Sequence, residues 1–216
     1  MRMSSAYIDE PTRQFRDAMR LLFILANCGE EVASPSSIDA AVRMISSQKQ
    51  LQKMDFWVRN PDHLAHALLD AYSEVADAKW LRYARAILGS EEPEVRRDAM
   101  TKYLFGAFEP IDTGMAPLIS YGLARTIRHP QTKRQRFFLL QRGQEVAQQM
   151  EADLPEARWY SERARLVGEL CRGRSGEELA RMQYQQSAYA NAPNGETIAS
   201  IAFQVRSRLA ALEGHR

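Results

Sequence analysis

Apolar side chains recur at helical spacing through most of this chain, and one stretch alone changes to strand-like alternation. Phe15, Ala18, Met19, Leu22, Phe23 and Ala26 share a helical face that ends near Cys28-Gly29, and this face is expected to be core. After a turn at 33–36, a longer helix over 38–58 carries Met44, Ser47, Leu51, Met54 and Val58 at spacings of three and four, a seam for another helix. Asn60-Pro61 stops it, and Pro61 opens a helix marked by Leu64, Ala67, Leu68, Ala71, Tyr72 and Val75. Trp80, Tyr83, Ala84, Ile87 and Leu88 continue the pattern up to a joint at 89–93. Further on, Pro155 begins a helix with Tyr160, Ala164, Val167 and Cys171 in line, and Ser175 is placed to cap a short helix to Tyr184. A last helix over 196–212 carries Ile198, Ile201, Ala202, Val205, Leu209 and Leu212 on one face. The seam of Met44, Leu51, Met54 and Val58 and the stripe of Ile198, Ile201, Val205 and Leu209 are the two candidate partner-binding faces, with packing inside this chain as the competing fate.

The exception runs from Pro117 to Met150. A helix ends at Gly122, and Leu123 to Arg128 then alternates apolar with polar side chains, as a half-buried strand does. His129-Pro130-Gln131-Thr132-Lys133-Arg134 is a turn, Phe137 to Leu140 a second strand, and Gln141 opens a new helix. Helix, hairpin and returning helix outline a winged-helix module. No acidic residue occurs between Asp112 and Glu145, whereas Arg125, Arg128, Lys133, Arg134, Arg136 and Arg142 all fall there. Such a basic wing suits double-stranded DNA or an acidic partner surface, with a solvated positive face as the bland alternative. Of Phe137 and Phe138, alternation sends one into the core and the other outward.

The expected fold class is therefore mainly α: a helical bundle with an embedded winged-helix module and a small β-hairpin wing. Its regions are a helical N-terminal part (1–90), the winged-helix module (91–150) and a C-terminal helical part (151–216). With 216 residues, 45% of them hydrophobic, the chain can bury a full core. A net charge of +2 is too small to mark the whole chain as a nucleic-acid binder, so any electrostatic function must be local. Residues 1–10 lack the apolar core of a secretory signal, and Leu21 to Ala26 is too short to span a bilayer, so a cytoplasmic protein without membrane partners is expected. Cys28 and Cys171 are read as two reduced, packed thiols, and Trp57, Trp80 and Trp159 as core residues.

Catalytic chemistry has little to stand on. The chain has no phosphate loop, dinucleotide glycine fingerprint or His-Glu-x-x-His helix, and neither a cofactor nor a catalytic residue is assigned. Pro61-Asp62 followed by Asp77-Ala78-Lys79 has the spacing of metal-dependent nucleases, but those residues need a β-hairpin to converge on a divalent ion and here fall in helical patterns, with Asp62 and Asp77 expected on helix surfaces. His63 and His66 lie one turn apart with no further ligand at suitable spacing, so no metal site is assigned and a solvated helix start is expected.

Several segments, in order, resemble one family. The run Leu51-Gln52-Lys53-Met54-Asp55-Phe56-Trp57-Val58-Arg59-Asn60-Pro61 resembles the "K-L-D-F-L-L-R-Y-P" segment of middle components of bacterial ABC-three-component defence systems, which include the Lamassu group. Lys102 to Pro110 is similar to their "K-Y-x-x-G-P-W-D-P" element, with Ala107-Phe108-Glu109 in place of Pro-Trp-Asp. Phe138-Leu139-Leu140-Gln141-Arg142-Gly143 resembles the wing exit "F-x-L-T-x-x-G", with Gln141 for Thr. Ser175-Gly176-Glu177-Glu178-Leu179 and Asn194-Gly195-Glu196-Thr197-Ile198 resemble the tail "S-G-x-x-L … G-x-x-I". The resemblance implies a non-catalytic accessory subunit in antiviral or antiplasmid defence, working beside an SMC/Rad50-like ATPase subunit and an effector subunit, often a nuclease. The alternative reading is a free-standing dimeric winged-helix transcription regulator.

Overall fold

The protein was analysed as a computed structural model, which describes residues 10–33, 38–90, 100–103, 106–107 and 111–214. It is mainly helical with a small four-stranded antiparallel sheet. Helix α1 (Glu10–Cys28) leads into a short strand β1 (Glu30–Glu31) and then β2 (Ala41–Ile45). Helices α2 (Gln48–Arg59), α3 (Pro61–Val75) and α4 (Ala78–Gly89) follow. A two-residue hairpin, β3 (Lys102–Tyr103) and β4 (Gly106–Ala107), precedes α5 (Ile111–Ser120). The hairpin β5 (Ala124–Arg128) and β6 (Gln135–Leu140) comes next. Five helices complete the chain: α6 (Gln141–Asp153), α7 (Pro155–Cys171), α8 (Gly176–Tyr184), α9 (Ser187–Ala190) and α10 (Ala202–Gly214).

Local chemistry explains most of these boundaries. Asn60 separates α2 from α3, whose first position is Pro61, a residue with no N–H to leave unsatisfied. Ser175 accepts from the Glu178 amide while the Glu178 carboxylate accepts from the Ser175 amide, a reciprocal cap that starts α8. Gly122, at φ +66°, takes the left-handed conformation that turns the chain from α5 into β5. Gly143 permits a close approach: a Cβ there would lie 2.2 Å from the Leu123 carbonyl oxygen.

The expected long helix over 38–58 is corrected. Residues 41–45 form β2, which pairs antiparallel with β6 through Met44 opposite Phe138 and Ile45 opposite Phe137. The helix begins only after Ser47, whose side chain accepts from the Gln50 amide. Val42 and Ile45 are β-branched and suit a pleated sheet, and the spacing from Met44 to Leu51 crosses a helix cap by coincidence. The sheet order is β1-β2-β6-β5, so the hairpin is joined on its inner side by a strand from the N-terminal part. The last helix is also shorter than expected. Ile198 and Ile201 precede it in an extended segment that hydrogen-bonds to residues 100–102.

The stretches 1–90, 91–150 and 151–216 all contribute to one buried cluster, among them Leu25, Trp57, Phe137, Tyr160 and Val205. The two faces read as partner-binding lie largely inside it. Leu51, Met54, Val58, Ile198, Ile201, Val205 and Leu209 are buried within this chain, and Met44 is half-buried on the sheet. Trp57 and Trp80 are core and Trp159 packs against it, whereas Phe15 is exposed, a correction to the expected face of α1. The turn residues 34–36, the joint at 91–93 and much of the 102–110 element lie outside the described residues.

Candidate nucleic-acid interface

Pairing register decides where the basic hairpin sends its charges. Arg125 lies opposite Phe138, Ile127 opposite Arg136, and Arg128 opposite Gln135. Directly opposed residues of an antiparallel pair share a face, and neighbours along a strand alternate. Thr126 and Phe137 are opposed, and Phe137 is fully buried, so their face is the core face. Arg125, Ile127, Arg136 and Phe138 therefore share the outer face. Phe138 is nevertheless 6% exposed, flanked across the strands by Arg125 and Met44. Arg128 and Gln135 close the inner face at the tip.

The tip itself is tightly hydrogen-bonded. The His129 amide donates to the Arg134 carbonyl at 2.8 Å, the Lys133 amide to the His129 carbonyl at 3.0 Å, and Arg128 Nε to the Lys133 carbonyl at 3.2 Å. Lys133 has φ +56°, a left-handed conformation uncommon for a residue with a Cβ. All six predicted cations, Arg125, Arg128, Lys133, Arg134, Arg136 and Arg142, are exposed, and none forms an ion pair among the described residues. The structure spreads them over three places. Arg128, Lys133 and Arg134 gather on the inner side of the tip, where they line a cleft of about 290 Å³ against the starts of α2 and α8. Arg125 and Arg136 face outward, and Arg142 stands in the first turn of α6, at the far end of β6. At about 3.4 Å per residue, that end is roughly 20 Å from the tip.

Other polar residues singled out in the sequence have structural partners. Asp62, expected on a helix surface, is instead buried; its carboxylate accepts from Ser200 Oγ and the Ile201 amide, both at 2.7 Å, and from the His63 amide. Asp77 caps α4 by accepting from the Lys79 amide. This places Asp62 and Asp77 in separate structural roles. His63, expected in a solvated helix start, is instead buried and bonds Gln186 at 2.7 Å, while His66 bonds Asp70 at 3.0 Å. No group of three or more His, Cys, Asp or Glu side chains is placed to hold a metal among the described residues. Cys28 and Cys171 are free thiols, and burial pushes both above the ordinary thiol range. Among the described residues, no helix is long and apolar enough to cross a membrane.

Sequence periodicity missed most of the buried polar residues, and two of them show why. Arg20 is held between Asp55 (2.5 Å) and Asp17 (2.6 Å) at the α1–α2 contact. Lys53 donates to the Tyr189 hydroxyl at 3.0 Å, and burial, with the nearby Lys49 charge, lowers its pKa to about 8. Both interrupt apolar faces in the sequence, and nothing in local spacing names their distant partners. No family model matches the chain, and no curated protein or solved structure matches it either.

Proposed function

We propose that the protein is a non-catalytic subunit that positions double-stranded DNA through the β5–β6 hairpin, acting as the wing of a winged-helix-like module. The observation that carries this reading is the set of six exposed cations on and beside the hairpin, unpaired among the described residues, in a stretch with no carboxylate from 113 to 144. Long flexible cations at a hairpin tip reach phosphates more readily than base edges, so the contacts position a duplex without reading its sequence. The resemblance in sequence supports placing this subunit in the cytoplasm, beside an SMC/Rad50-like ATPase subunit and an effector, in antiviral or antiplasmid defence. Both apolar stripes once available for such a partner are occupied inside the chain. Docking on the ATPase would therefore use other surface than Leu51, Met54, Val58, Val205 and Leu209.

The test is a salt titration of duplex binding by the full chain and by its Lys133→Ala/Arg134→Ala/Arg136→Ala variant, on two unrelated sequences. Affinity should fall with salt by a log–log slope of about 0.9 per phosphate contact. The variant should lose affinity equally on both sequences and show a shallower slope. Identical curves for the two proteins would overturn the reading. Loss on one sequence alone would favour the dimeric transcription regulator.

A further inference from the structure

The cleft behind the hairpin tip has a composition that a general basic surface does not require. Its walls come from three elements distant in sequence: the tip, the start of α2 and the start of α8. Four cations line it, Arg128, Lys133 and Arg134 from the tip and Lys49 from α2, against a single carboxylate, Glu177. The starts of the two helices are pressed together. A Cβ on Gly176 would lie 2.9 Å from the Gln50 nitrogen and 3.1 Å from Ser47 Oγ. Ser47 and Ser175 cap only the third amide of each helix, at Gln50 and Glu178, and these caps leave the earlier amides of both helices without an intrahelical acceptor. The positive ends of two helix dipoles thus border the space that the four cations line.

Glu177 reports the field there. It pairs with Lys49 at 2.5 Å, and this hydrogen bond and charge, with a further contribution from Arg134, hold its carboxyl below the ordinary range. In the chain alone, a carboxylate borne on α8 supplies the negative group that the cleft attracts. Glu177 is nonetheless largely exposed and sits on a long side chain, so it can swing aside at small cost.

We propose that this cleft is a phosphate-binding subsite, taking one phosphate of a nucleic-acid strand with Glu177 as the group it displaces. The inference rests on the reading of the hairpin as a DNA-positioning wing and adds to it a defined anchoring point. Phosphate oxygens accept from the guanidinium and ammonium donors of the tip and from the free amides of both helix starts. The outer-face cations, Arg125 and Arg136, have no part in it.

The probe is inorganic phosphate, followed through the backbone amide resonances of Gln48, Lys49, Gly176 and Glu177 in a titration against the full chain at constant ionic strength. Those amides should shift together and saturate. Lys133→Ala/Arg134→Ala should weaken the binding at least tenfold. Glu177→Gln should tighten it, by about fivefold for removal of one screened charge near the anion. Tightening separates a binding role from damage to the fold, which would weaken the site in every variant. A second arm compares a 5′-phosphorylated duplex with its 5′-hydroxyl counterpart. Preference for the first assigns the subsite to strand ends, and equal binding assigns it to backbone phosphodiesters. No saturable shift of these amides, or a Glu177→Gln variant that binds no better, overturns the subsite. Saturable phosphate binding by a chain that binds no duplex would retain the subsite and sink the wider reading instead.

Discussion

Replacing Arg20 by Met should be among the most damaging single changes this fold can suffer, although no sequence pattern marks the position. Arg20 Nε donates to Asp55 Oδ1 at 2.5 Å and Nη1 to Asp17 Oδ1 at 2.6 Å, with both Arg20 and Asp55 about 95% removed from solvent. Burial alone would pull the guanidinium pKa down. The charges and hydrogen bonds of Asp55 and Asp17 outweigh that and hold it above its ordinary value. Met keeps most of the packed stem and removes the charge, leaving two carboxylates buried. Removing one partner of a buried ion pair costs about 3–5 kcal/mol. The lower part of that range applies, because Arg59 still stands 4.0 Å from Asp55 and Asp17 retains some access to water. The assay is equilibrium urea unfolding of the wild type, Arg20→Met, Asp17→Asn and the double variant. Arg20→Met should lose about 3 kcal/mol, and Asp17→Asn should cost far less in its background than alone, because the carboxylate it neutralises has already lost its cation. A loss under about 1 kcal/mol, or strict additivity, would show that the cluster is well solvated and would refute the argument.

Two further predictions concern groups the sequence presented as candidate chemistry or concealed in a core face. Asp62→Ala should cost about 2–3 kcal/mol and make α10 the first segment cut in limited proteolysis, since the Ile201 amide loses its charged acceptor; unchanged proteolysis would deny Asp62 its anchoring role. Lys53 has a folded pKa lowered to about 8 from 10.5, so between these values the unfolded chain binds more protons and stability rises with pH. Lys53→Met should therefore be favoured over the wild type most strongly near pH 7, with the difference narrowing by at most about 3 kcal/mol as pH rises to 10; a difference independent of pH would contradict the assignment.

What could be read from the sequence follows from how local each signal is. The starts of α3, α7 and α8 and the turn into β5 were legible because Pro61, Pro155, Ser175 and Gly122 act within a few residues of themselves. The β5–β6 hairpin was legible because its alternation and its six cations are contiguous. Strand β2 was not, because its partner lies about ninety residues on, and five residues of mixed polarity continue a helical spacing as easily as a strand. The same distance hid the cleft: Lys49, Arg134 and Glu177 carry no common pattern until α8 is laid against α2. Whether the two apolar stripes meet a partner or this chain was not legible for another reason, since an apolar stripe has the same sequence in either case.

The cations of the hairpin differ in how much of their presence the fold itself accounts for. In the order β1-β2-β6-β5, β5 is an edge strand, and an edge strand with unpaired backbone groups is commonly guarded by charge against pairing with another chain. Arg125 and Arg128 sit on that edge, so edge protection is sufficient reason for both. It does not extend to the others. Lys133 and Arg134 are in the turn, Arg142 is on a helix, and Arg136 lies on β6, an inner strand of the sheet. Lys133 even holds a left-handed backbone that glycine would adopt with less strain, so its side chain is retained against a local preference. Lys133, Arg134, Arg136 and Arg142 are therefore the cations whose presence edge protection leaves unaccounted for. The tip is also firmly mounted: β2 is paired to β6 and runs within two residues into the Ser47 cap of α2, so the sheet that carries the tip leads into one wall of the cleft. A phosphate arriving there would meet a backbone already in place, so the ordering cost falls mainly on the cation side chains.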